Sequence, residues 1–156
     1  MPDDKLKKQL LREEMELLGK AVETLNLSIK KCTNIIGKEH YSFEELESFD
    51  SLTSKFGRTS DLFTQKVLRT VFILLHEPFI PFIDFLNQAE KMGIIKSADQ
   101  MLEIRDLRNQ ITHEYLPEAI TELVPEVLEY SNLLISNINK AHQFITNRNW
   151  IADSDS

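Results

Sequence analysis

One cysteine, four glycines and five prolines in 156 residues leave several architectures without their raw material. Cys32 alone can form no intrachain disulfide and cannot by itself build a thiolate zinc site. A reducing, cytoplasmic compartment suits it. So little Gly and Pro excludes a loop-rich sandwich and a Gly-rich phosphate cradle, and suits long helices instead. Positive charge is in the minority. Eighteen Lys and Arg face 25 Asp and Glu, a formal net charge of −7, which excludes a broad histone-like binder of nucleic acid but not a local basic site. No run approaches the roughly 18 apolar residues of a membrane span; the longest, VFILL at 71–75, is far shorter. The N-terminal MPDDKLKKQLLREEM lacks the apolar core of a signal peptide. The expectation is a soluble cytoplasmic chain with no membrane partner, forming one domain over 1–156 with its core at about 5–145 and a frayed tail at 151–156.

What is present is helical periodicity. Leu11, Met15, Leu18, Val22, Leu25, Ile29 and Cys32 recur at alternating spacings of four and three, which predicts a helix from about Asp4 to Cys32. Leu6, Leu10, Leu17 and Ala21 widen its apolar face enough to touch the core on one side and a second subunit on the other, or to serve one broad core contact. A connection with Gly37 follows. Ser42 and Glu45 have capping-box spacing. From there Phe49, Leu52, Phe56, Phe63, Val67, Val71 and Leu74 predict a second helix, interrupted around Thr59 and Ser60, with Gly57 a weak point that permits close approach. Pro78 and Pro81 end it. Phe82–Met92 reads as a short helix stopped by Gly93. Ser97 opens a third main helix, and Pro117 closes it or begins the next. The last helix runs from about Glu118 to Ile145, with Pro125 kinking it or splitting off its first turn. No strand pattern competes. The predicted fold is all-α, an up-down four-helix bundle with an additional short helix.

Chemistry concentrates in Arg105–Tyr115, RDLRNQITHEY. On an ideal helix, at about 100° per residue, Ile104, Leu107 and Ile111 face the core, while Asn109 and His113 share another face. Arg108 and His113 stand roughly 140° apart. Either the long Arg side chain curls toward the His, or the two converge across a two-fold axis from different subunits. Such a set suits metal-free RNA cleavage. RNA carries its own nucleophile, the 2′-OH. An imidazole, with an unperturbed pKa of about 6.5, moves protons at neutral pH. A guanidinium pairs with the scissile phosphate. Asn109 can orient the ring or hold a phosphate oxygen.

Arg108, four intervening residues, His113, a spacer and Tyr115 match the R-x4-H-x-Y motif, and the chain here resembles HEPN domains, most closely the HepT-like toxins paired with minimal nucleotidyltransferases. The Asn after the Arg and the apolar residue two before the His also match. By helix order the resemblance covers about 5–145; its specific part spans about ten residues. It implies a HEPN-like homodimer acting as a metal-independent endoribonuclease without cofactor, the toxin of a toxin-antitoxin module whose antitoxin is a minimal nucleotidyltransferase. It implies Arg108 and His113 as catalytic, Asn109 in support, and Tyr115 as the residue the partner adenylylates. Arg105 and Lys96, among few basic residues nearby, are candidate contacts for RNA phosphate. Two other readings stand beside this one. One is a non-catalytic subunit that binds a small nucleotidyltransferase and presents its substrate. The other is a dimeric interaction module whose motif has lost activity.

The remaining histidines, His40, His76 and His142, show no HxxxH or HExxH spacing, so no metal site is expected. His113 taken alone could simply cap its helix. Glu44, Glu45 and Glu47 read as a solvated face. Trp150 is expected to pack on the bundle. Lys7 and Lys30, in short basic runs, are expected to be solvated or to touch phosphate weakly.

Overall fold

The computed structural model describes residues 2–151, with side chains from residue 4 onward. Its elements are α1 (Pro2–Thr33), α2 (Phe43–Asp61), a π-helical segment (Leu62–Val67), α3 (Leu68–Leu74), α4 (Phe82–Lys91), α5 (Ala98–Thr112) and α6 (Pro117–Asn147). The π segment joins α2 and α3 into one uninterrupted rod. No strand occurs among the described residues. The result is a helical bundle of four main helices and the short α4.

Two pairs of contacts fix the antiparallel directions. At one end of α1, the Cys32 thiol donates to the Ser48 carbonyl; at the other, His76 Nε2, just beyond α3, lies 3.4 Å from Asp4 Oδ2. Asn137 on α6 meets the start of α5, and Tyr130 on α6 meets Glu103 further along. The α1 stripe behaves as its spacing predicts: Leu11, Met15, Leu18, Leu25 and Cys32 are buried, with Val22 and Ile29 half-buried. Every apolar position predicted for the second helix is buried, and Phe49, Phe56 and Phe63 are wholly enclosed with Phe85 of α4. Leu6 and Leu17 are instead 70% and 56% exposed, so among the described residues nothing covers this part of the wider α1 face.

Local chemistry explains the element ends. Ser42 Oγ accepts the Glu45 N–H at 3.1 Å and Glu45 Oε1 accepts the Ser42 N–H at 2.9 Å, closing the capping box at the start of α2. The rod ends before Pro78. His76 takes a left-handed conformation (φ 58°), and the Glu77 N–H donates to the Phe72 carbonyl, a stop supplied by a non-glycine residue ahead of the prolines. Gly93 (φ 79°) ends α4 in the same manner. Pro117 begins α6, where its missing N–H costs nothing. The helix continues through Pro125, so no first turn splits off. The core also runs past residue 145. Trp150 packs edge-on against Phe144 at 6.3 Å, and both Trp150 and Ile151 are buried, so Ile151 belongs to the core and not to a frayed tail. The rest of that expected tail, 152–156, lies outside the described residues.

Candidate functional site

Helix α5 carries the motif, and buried polar groups hold it in place. Ser97 caps it, its Oγ accepting the Gln100 N–H. Asn137 is completely buried, and its Oδ1 accepts the backbone N–H of both Lys96 and Ser97, at 2.9 and 3.1 Å. Its amide donates to Gln100 Oε1 and the Leu133 carbonyl, so the side chain is fully satisfied. Glu90 Oε1 accepts the Ala98 N–H, and the Tyr130 hydroxyl donates to Glu103. That bond to a carboxylate holds the Tyr130 phenol above its ordinary pKa, helped by burial. Ile104 and Leu107 turn into the core as the helical spacing predicts, with Met101 beside them, while Ile111 is half-buried.

Arg108 crosses to the α2–α3 rod. Its stem lies over Gly57, where an added Cβ would sit 3.6 Å from Arg108 Cγ. A large side chain there would displace the arginine. The guanidinium grips Asp61, with Nε 3.1 and 3.2 Å from the two carboxylate oxygens and one terminal nitrogen 2.6 Å from Oδ2. The other terminal nitrogen donates to the Thr112 hydroxyl. The Asp61 hydrogen bonds hold the Arg108 pKa above its ordinary value, against an opposing pull from partial burial. Asp61 stands directly before the π segment, whose closing bond runs from the Leu68 N–H to the Phe63 carbonyl. Thr59 and Thr64 donate their hydroxyls to carbonyls four residues back, competing with the helical N–H groups and favouring this wider turn.

Two grooves flank Arg108. The larger, about 1050 Å³, is walled by Phe43, Asp50, Gly57, Arg108, Thr112 and Tyr115. The smaller, about 450 Å³, is walled by Ser60, Asp61, Thr64, Gln65, Arg69, Phe82, Arg105, Arg108 and Asn109. The motif is therefore divided. Arg108 borders both grooves, Asn109 and Arg105 the smaller, Tyr115 (88% exposed) the larger. His113 is the exposed C-cap of α5 and is not among the residues walling either groove. Arg108 does not curl toward it: no hydrogen bond joins the two among the described residues. Lys96 is exposed beyond the far end of α5. Ala98, the first residue of α5, stands ten residues and about 15 Å along the axis from Arg108 at a rise of 1.5 Å, and Lys96 lies two residues beyond it. Arg105 stacks over Phe82, 5.0 Å from the ring centre, with a weak 3.4 Å approach to Asp106. No three His, Cys, Asp or Glu side chains gather as a metal would need, among the described residues.

Three residues around this site escaped the sequence reading, Asp61, Arg69 and Asn137 as the anchor of α5; Gly57 was expected to permit close approach, and the Arg108 stem takes that place. The first two lie some 40 residues from the motif, with no local pattern linking them to it. Comparison with family models, curated proteins and solved structures returns no match for the chain. The HEPN resemblance therefore rests on the motif and the helix order.

Proposed function

We propose that this chain is a HEPN-like, metal-independent endoribonuclease, acting as a cytoplasmic homodimeric toxin whose antitoxin is a minimal nucleotidyltransferase. The observation that carries the reading is Arg108 on the ridge between two open grooves, with Asn109, Thr112 and Tyr115 beside it and His113 exposed at the helix end. A guanidinium has five N–H donors. Asp61 and Thr112 occupy three of them, which leaves two for a phosphate. In the reaction, the 2′-OH of RNA attacks the adjacent phosphorus. An imidazole takes the hydroxyl proton, a second proton goes to the departing 5′-oxygen, and a 2′,3′-cyclic phosphate is left. Arg108 offsets the charge that builds on the phosphorane. Because Arg108 and His113 diverge on one chain, the complete set is assembled where two copies meet. Adenylylation of Tyr115 would place a phosphate and a bulky nucleoside at the mouth of the larger groove and close it to RNA.

One observation favours the second reading, a non-catalytic subunit that presents substrate to a small nucleotidyltransferase. The Asp61 carboxylate holds Arg108 in two-point geometry, which competes directly with a phosphate for the same donors. The decisive experiment is RNA cleavage in EDTA by wild type, His113→Ala and Arg108→Ala prepared identically, reading the product ends. The ribonuclease reading expects cyclic-phosphate ends from wild type and a loss of at least about a hundredfold in both variants. Equal cleavage by all three would mark contamination. No cleavage of several RNAs, together with co-purification of a nucleotidyltransferase, would establish the second reading.

A further inference from the structure

We propose that the smaller groove is a phosphate-binding site, in which Arg69 and Arg105 join Arg108 around one phosphate ester. Three guanidinium groups and a single carboxylate, Asp61, wall it; with Asp106, 3.4 Å from Arg105 outside the wall, the local excess is one positive charge on a molecule of formal charge −7. Arg108 is paired with Asp61, but Arg69 has no carboxylate within 4.0 Å among the described residues. Its guanidinium carbon lies instead over two aromatic rings, 4.0 Å from the centre of Phe85 and 4.9 Å from that of Phe79. Arg105 lies over Phe82 in the same way, and its Nε is enclosed without an acceptor. A guanidinium held over a ring still has N–H donors to offer a phosphate. Burial pulls the Arg69 pKa down, as expected of a partly dehydrated cation without a counter-ion. Asn109 and Gln65 are exposed on the rim and carry uncommitted amides that add neutral donors. About 450 Å³ accommodates a phosphate with its attached sugar.

The π segment puts Arg69 there. On an uninterrupted α-helix Arg69 would stand about 80° round from Asp61. The π turn inserts one extra residue and turns later positions back by about 100°, so Arg69 returns to within about 20° of Asp61 and the two share a wall. Single π turns inside α-helices are frequent at functional sites.

The phosphate can belong to an RNA strand or to a free nucleotide, and the test separates these sources. Two probes would be titrated at low salt. One is a fluorescent single-stranded 2′-O-methyl oligoribonucleotide, which cannot be cleaved by 2′-OH attack; the other is adenosine triphosphate, followed through the arginine Nε–H resonances. Arg69→Gln and Arg105→Gln should each weaken the bound probe roughly tenfold, the loss of one charge-assisted pair. Arg69→Lys should recover part of that loss. Arg12→Gln, the same charge change on the exposed face of α1, should leave binding within about twofold. Circular dichroism and unfolding curves would confirm that the variants fold. Oligonucleotide binding alone identifies a strand site, and triphosphate binding alone a nucleotide site. An Arg69→Gln effect no larger than that of Arg12→Gln, or no binding of either probe by wild type, would overturn the proposal. The proposal does not depend on strand cleavage: arginine-dependent binding without cleavage would leave the groove standing and the nuclease reading fallen. Undiminished cleavage by Arg69→Gln, together with undiminished binding of both probes, would do the reverse.

Discussion

Asp61 governs what Arg108 can do. It supplies both acceptors of a two-point ion pair whose partners are only about one-third exposed, and it is the one negative charge of the smaller groove. Asp61→Asn should lower the unfolding free energy by about 1 kcal/mol, the scale of a partly screened pair, in urea denaturation. It should also strengthen oligonucleotide binding, because Arg108 is released and the groove loses its only carboxylate. Weaker binding by a folded Asp61→Asn would show that the carboxylate positions Arg108 for the ligand. Cys32 supports a different expectation. Its buried thiol donates to the Ser48 carbonyl, and burial pushes its pKa up against the pull of Lys31 and Lys55. Both effects suppress the reactive thiolate. Alkylation under native conditions should be slow and should become fast only in denaturant; rapid native labelling would mean that the α1–α2 end opens readily. At this scale the sequence disclosed the motif residues but neither of their new neighbours. A motif lies within one turn or two of helix. Asp61 and Arg69 reach it through tertiary packing and a change of helical register, and nothing in the local residue pattern encodes either.

Helix ends were legible wherever a side chain closes them. The Ser42–Glu45 box, the Ser97 cap, Gly93 and the start at Pro117 each have a local chemical cause, and each stands where the residues place it. The His76 stop was not legible, because a left-handed non-glycine residue carries no compositional sign, and of the π turn only the break in the apolar stripe around Thr59 and Ser60 was legible. The capping box also has a pH dependence. The bond from Lys38 and then the Ser42 N–H hold the Glu45 pKa below its ordinary value. A carboxyl with a depressed folded pKa stabilises fully above its unfolded value, about 4.3, and that contribution disappears as pH falls through the folded value. The melting temperature of Glu45→Gln should therefore fall less steeply than that of wild type on acidification through this range; parallel curves would remove Glu45 from the α2 start. A larger effect belongs to Asn137. Asn137→Leu leaves the Lys96 and Ser97 N–H groups without their acceptor at the start of α5 and should cost about 2–3 kcal/mol in urea denaturation.

At the scale of the whole molecule, the open question is how many chains make one site. The helical bundle itself was readable because one stripe per helix predicts one core. On the second apolar strip of α1, Leu6 and Leu17 are left well exposed among the described residues. The motif points the same way: Arg108 reaches back to Asp61 while His113 stands at the opposite edge of the helix end. If a working site takes its arginine from one subunit and its histidine from the other, two dead variants should rescue each other. Mixed and co-refolded, Arg108→Ala and His113→Ala chains form heterodimers in which one of the two sites has both groups intact. With random pairing, roughly a quarter of wild-type cleavage should return. Chains that each carry a complete site would give no recovery, since every site would lack one group. Sedimentation of the same mixture would separate these outcomes from a failure to associate. A monomer that cleaves RNA would retire the composite site while leaving the chemistry of Arg108 and His113 to a single chain.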